Sequence, residues 1–168
     1  MTDKDWMRQP MIEGEVRRIA RQHHPHLDGL TIAVIGRPQA AKSKGKVVLA
    51  KTSVPSEATG ALIQDAMGVV HYVIEVGLDA WAALTPAQRT ACLDHELCHC
   101  LGVDEESGRP KLVGHDAEEF GQVIRRHGLW RPDLESFAEA VASQLERQLI
   151  RMGATGDPLG AEARGGRP

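Results

Sequence analysis

Between residues 11 and 23, Ile12, Val16, Ile19 and Ala20 recur at spacings that share one helix face, and "HHPHLDGL" ends that segment. The pattern then changes. "TIAVIG" is short, apolar and rich in β-branched residues, as is "VVLAKTS", and the stretch "RPQAAKSKGK" between them reads as a loop. "VVHYVIEV" is apolar almost throughout, which suits a strand covered on both faces. A helical period returns in "LTPAQRTACLDHELCHCLG". Thr85 as N-cap, Pro86 at the first helical position and Gln88 completing a capping box start a helix there. Gly102 marks its end, which predicts a helix over about 86–101. "HDAEEFGQVIRRHG" opens on a second capping box, Asp116 with Glu119, and closes at Gly128. A long amphipathic helix follows, with Leu134, Phe137, Ala138, Val141, Leu145 and Leu149 inward. Strands and helices in this order predict an α+β fold: a short twisted sheet of about three strands packed against the 86–101 helix and further helices.

Composition sets the limits of this picture. The chain's 168 residues suit one domain with a single core, expected over residues 1–152. Beyond Gly153 the sequence is rich in Gly, Ala and Pro without apolar periodicity, so 153–168 is expected to be a disordered tail. A net charge of −3 gives no overall pull towards nucleic acid. The N-terminus lacks a secretory h-region, and no apolar run is long enough for a membrane span. Three cysteines, Cys92, Cys98 and Cys100, lie on the one predicted helix. Cys92 and Cys98 stand about 9 Å apart along its axis, and Cys98 and Cys100 about 200° apart around it. Neither pair meets disulfide geometry, which fits reduced thiols and a cytoplasmic setting.

The same helix carries His95-Glu96-Leu97-Cys98-His99. At about 100° per residue, His99 falls about 40° from His95 and one turn on, so both imidazoles reach one ion. Glu96 falls about 100° from His95, poorly placed to share the ion but well placed to touch water bound to it. Leu93, Leu97, Cys100 and Leu101 form the opposite, packing face. Cys92 lies about 10 Å along the axis from His99, so one ion cannot hold both together with His95. These spacings point to a catalytic zinc site with Glu96 as general base rather than a thiolate cluster. A catalytic Zn2+ needs a third protein ligand. His115, in "LVGHDAEEFG", is the first candidate, and Asp116, Glu118 and Glu119 compete with it. Asp116 and Glu119 serve equally well as a cap or as groups that orient an imidazole.

"LTPAQRTACLDHELCHC" followed by "GRPKLVGHDAEEFGQVIRRHGLW" resembles the phage metallopeptidase family, which is similar in turn to SprT-like zincins. The resemblance spans most of residues 11–135 and is strongest from Val70 to Trp130. It implies a small zincin-like domain, His95, His99 and His115 as metal ligands, and Glu96 as catalytic base. "HDAEEF" departs from the Pro-containing wording of the SprT-like pattern, which leaves roles for Asp116 and Glu119 open. The implied activity is zinc-dependent hydrolysis of peptide bonds, with protein or peptide as the partner and the bacterial cytoplasm as the setting.

Weaker signals surround this reading. Tyr72 and His71 on the third strand, and Arg125, Arg126 and His127 further on, are candidate oxyanion donors. "HHPH", His23 to His26, is a possible metal cluster that reads more simply as a helix end. Lys42, Lys44, Lys46 and Lys51 offer nucleic-acid contact, but no aromatic residues are interleaved for stacking. Trp81 and Trp130 read as core residues. The competing functions are a zinc-stabilised module that binds a protein or a DNA-associated partner, a zinc hydrolase of a non-peptide bond, and a metal-free scaffold with buried histidines. Glu96 argues against the purely structural site, which has no use for a base beside its ligands.

Overall fold

The computed structural model describes residues 6–56, 68–118 and 121–151. The expected tail at 153–168 and Glu119 lie outside these residues. The chain divides into two units, Met1–Gly114 and His115–Pro168. Together they make a mixed α+β protein with five α-helices and three small sheets among the described residues.

The first unit is built on a four-stranded sheet. Its strands are β1 (Met7–Arg8), β2 (Ile32–Arg37), β5 (Ala50–Ser53) and β6 (Tyr72–Gly77), in the order β1-β2-β6-β5. The two central strands run parallel, with Val34 opposite Ile74. β1 pairs with β2, and β5 with β6, antiparallel. Alternation along the central strands sends Ile32, Val34, Tyr72, Ile74 and Val76 to one face and Ala33 and Val73 to the other. The first face packs against helices α1 (Pro10–His23) and α3 (Pro86–Cys98), which contribute Val16, Ile19, Leu93 and Leu97. Helix α2 (Leu78–Ala82) precedes α3, and its Trp81 packs at the edge of this core as expected.

The expected second strand is divided in two. Val47 and Val48 belong to β4 (Lys46–Val48), which forms a hairpin with β3 (Ala41–Ser43), inside the stretch read as a loop. Its turn, Lys44-Gly45, has φ of 49° and 79°. Two positive φ values give the chain the twist a two-residue hairpin needs, and glycine at the second position makes them cheap.

Helix α3 begins as predicted: Gln88 N–H donates to Thr85 Oγ1 and Thr85 N–H to Gln88 Oε1. It ends early. The last helical residue is Cys98, and Cys100–Val103 form β7, paired antiparallel with β8 (Pro110–Leu112). Partners from elsewhere take the carbonyls that a longer helix would have bonded internally. Val113 N–H donates to His99 O, His26 Nε2 to Cys100 O, and the Tyr72 hydroxyl to Gly102 O. Gly102 sits at φ +92°, inside the irregular β7 rather than beyond a helix end. Leu101, expected to be inward, is exposed in consequence.

The second unit contains α4 (Gly121–His127) and α5 (Pro132–Arg151). Residues 116–118 are not helical, so the helix expected from His115 begins later. On α5, Leu134 is buried, whereas Phe137, Val141, Leu145 and Leu149 are exposed, as is Trp130. Within this unit the only other helix described has seven residues, too short to cover a stripe four turns long. No helix among the described residues is long and apolar enough to cross a membrane.

Candidate metal centre

His95 lies in the last turn of α3 and His99 is its C-cap. His99 keeps helical backbone angles, φ −70° and ψ −19°, so the four-residue spacing still puts both rings on one face. Their centroids are 5.1 Å apart, edge to face, and each offers a ring nitrogen within 4.8 Å of the other's. His99 Nδ1 lies 2.7 Å from Val113 O. A carbonyl only accepts, so Nδ1 carries the proton and Nε2 is the basic nitrogen, the tautomer a metal ligand needs. Val113 is doubly tied to this residue, because its own N–H donates to His99 O at 2.9 Å.

Glu96 is buried, at 6% exposure. Its carboxylate is not loose: the Thr52 hydroxyl lies 2.8 Å from Glu96 Oε2 and 2.9 Å from Glu96 O, sharing one proton between two acceptors. Thr52, on edge strand β5, thus satisfies one of the last carbonyls of α3 and fixes the carboxylate one residue beyond His95. Nothing in "VVLAKTS" marks Thr52 in advance. Only the packing of α3 on β5 brings it to Glu96.

The three thiols do not share one helix as expected: Cys92 and Cys98 are on α3, but Cys100 opens β7. Cys100 is buried and its Sγ faces Glu96 O, while Cys92 is half-buried. Burial, reinforced by the Glu96 charge, pushes the Cys92 thiol up to about 11 and the Cys100 thiol up to about 12. Both therefore stay neutral at ordinary pH, and neutral thiols are poor metal ligands. Cys98 is exposed.

The candidate oxyanion donors Tyr72, the first residue of β6, and His71, just before it, have other duties. Tyr72 is fully buried, and its hydroxyl lies between the carbonyls of Gly102 and Lys111. His71 Nδ1 accepts from Thr31 N–H at 3.0 Å. Arg125, Arg126 and His127 close α4 in the second unit. His23 ends α1 as expected, but His24 and His26 leave the helix, with His24 Nε2 2.7 Å from Asp94 Oδ1. Lys42, Lys44 and Lys46 lie on the β3–β4 hairpin, and Lys51 stands opposite Glu75 on the sheet.

His115 opens the second unit, and its Nδ1 lies 3.3 Å from Glu118 Oε1. Among the described residues, Glu118 thus brings a carboxylate to the ring. Asp116 lies in a bend.

A family model described as "Putative phage metallopeptidase" matches residues 4–142. The chain belongs to this family. No curated protein matches it, and no solved structure does. Membership of the phage metallopeptidase family implies a metal and hydrolytic chemistry on peptide bonds. The matched span contains the whole His95–His99 turn, Thr52 and His115.

Proposed function

We propose that this protein is a zinc-dependent peptidase in which His95, His99 and His115 hold the ion and Glu96 is the general base. The observation that carries the reading is the paired preparation of His99 and Glu96. One has its tautomer set by Val113 O, and the other has its carboxylate held by Thr52. A basic Nε2 set by its carbonyl partner, three residues from a held carboxylate, is the arrangement a hydrolytic metal site uses.

Three imidazoles suit Zn2+ and leave a position for water. His115 is favoured as the third ligand by the family resemblance and by chain reach. Only Gly114 separates it from Val113, which is bonded to His99, so the chain can extend about 7 Å beyond that anchor. The Glu118 carboxylate lies beside Nδ1, in the manner of a carboxylate–histidine pair at a metal, where Nε2 is the ligating atom. Zn2+ bound there would acidify its water and polarise the scissile carbonyl. Glu96 accepts the proton of the attacking water and returns it to the departing amine. Thr52 keeps Glu96 from swinging away from that position. The partner is a protein or peptide, and the bacterial host's cytoplasm is the setting that a phage peptidase would share.

The test combines metal analysis with cleavage of a proteome-derived peptide library read by mass spectrometry. Glu96→Gln should keep about one zinc per chain at the His95/His99 site and lose about 10²–10⁴-fold in cleavage rate. His95→Ala, His99→Ala and His115→Ala should each lose that zinc. Zinc retained in His115→Ala would move the third ligand to an acidic residue of 116–119. Undiminished cleavage by Glu96→Gln would refute the base.

A further inference from the structure

Helix α3 carries a second pair of metal-ligating side chains at four-residue spacing, offset by one residue from the first. Asp94 and Cys98 stand about 100° and 60° around the axis from His95, on the side away from Glu96. A third donor meets them from α1. His24 is the C-cap of that helix, its N–H bonded to Ala20 O, and it is 7% exposed. Its Nε2 lies 2.7 Å from Asp94 Oδ1. The ligand atoms of His24, Asp94 and Cys98 all fall within 4.8 Å of one another.

We propose that His24, Asp94 and Cys98 form a second metal site, selective for a borderline-soft divalent ion such as Zn2+, which clamps the end of α1 to the helix bearing His95 and His99. Zinc bonds of about 2.0 Å to nitrogen or oxygen and about 2.3 Å to sulfur put tetrahedral ligand atoms roughly 3.3–3.6 Å apart. The His24–Asp94 pair at 2.7 Å must open slightly, and the sulfur already lies within 4.8 Å of both, so the adjustments needed are within the reach of side-chain rotation. The backbones need not move, because Val16, Ile19, Leu93 and Leu97 of the two helices already share one core. An aspartate, a thiolate and a neutral imidazole cancel the charge of one divalent ion, so the clamp adds no net charge at a half-buried place. On binding, the thiol releases one proton and the imidazole moves its own from Nε2 to Nδ1. Exposed Cys98 and half-exposed Asp94 leave an entry path from solvent.

The ordinary reading of His24 and Asp94 is a buried imidazole satisfied by a carboxylate. The thiol of Cys98, gathered with the other two donors within 4.8 Å, lets experiment separate the two readings, because an imidazole–carboxylate pair involves no sulfur. The test is titration of the metal-free full-length protein with Co2+. A thiolate on cobalt gives an intense near-ultraviolet charge-transfer band that imidazole and carboxylate ligands do not. The wild type should bind two Co2+ per chain and show this band. Cys98→Ser and His24→Ala should each abolish it and bind one Co2+, whereas Cys92→Ser should retain it. The His95→Ala/His99→Ala double variant should also keep the band, which separates this site from the proposed peptidase centre. Absence of the band in saturated wild-type protein, or its persistence in Cys98→Ser, would overturn the proposal.

Discussion

Thr52 is the residue whose role is most sharply defined by its contacts. It is 8% exposed, and its hydroxyl reaches both the carboxylate and the backbone carbonyl of Glu96. Replacing it by valine keeps the shape but removes the hydroxyl that donates to the buried Glu96 carboxylate and carbonyl. A hydrogen bond to a charged group is worth about 1.5–3 kcal/mol, so Thr52→Val should lower kcat/KM by about tenfold or more. Zinc content should not change, because Thr52 is not a ligand. Thr52→Ser restores the hydroxyl and should recover most of the rate, whereas a merely structural role would predict lost stability with the rate per folded molecule intact. That His95, Glu96 and His99 come together was legible in the sequence because one helix turn holds all three. Thr52 was not, since it meets Glu96 across 44 residues of chain and only through tertiary packing.

The same contrast holds at the two ends of helix α3. Its start is local chemistry: Thr85, Pro86 and Gln88 satisfy the first amides within four residues, and the sequence reading and the structure agree there. Its end depends on distant partners. His26, Tyr72 and Val113 supply the donors for the carbonyls of Cys100, Gly102 and His99, and none is adjacent in sequence to the helix they terminate. A pattern of apolar positions cannot register such partners, so Gly102 looked like a helix stop when it is part of a bulged strand. The capping box makes a direct prediction. Thr85→Ala removes the acceptor for Gln88 N–H and should cost about 1 kcal/mol of stability in urea denaturation. The loss falls at the end of α3 remote from His95 and His99. Zinc stoichiometry in the folded protein should therefore be unchanged, and a variant that lost zinc while still folded would show that the helix N-terminus is coupled to the site.

Across the first unit, a single buried carboxylate joins three elements. Glu13 of α1 is 1% exposed, takes two hydrogen bonds from Arg8 of β1, and accepts from Val34 N–H of β2 at 3.2 Å. The mixed α+β class was readable from the alternation of periods, but this junction was not. Glu13 lies at the edge of the α1 apolar face, about 20° from Ala20 around the axis, and gains its partners only when β1 folds back beside β2. Burial by itself would raise the Glu13 pKa. The Arg8 hydrogen bonds, the Val34 amide and the charges of Arg8 and Arg17 outweigh it, so the folded-state value lies below the ordinary one. The sign follows: with a depressed pKa, the stabilisation is fully present above the unfolded value of about 4.3 and is lost as pH falls through the folded one. Asp104, whose pKa the Lys111 hydrogen bond and the Ser107 contacts hold well below the usual carboxylate range, acts with the same sign. Glu13→Gln should destabilise the protein at pH 7 by about 1–3 kcal/mol, less than a fully buried pair would lose because Arg8 remains half-exposed. Urea melts of the two proteins from pH 7 down to about pH 3 should therefore converge, because protonated Glu13 comes to resemble glutamine. A gap that stays constant over that range would mean that the Glu13 charge contributes nothing and that shape alone holds β1 against β2.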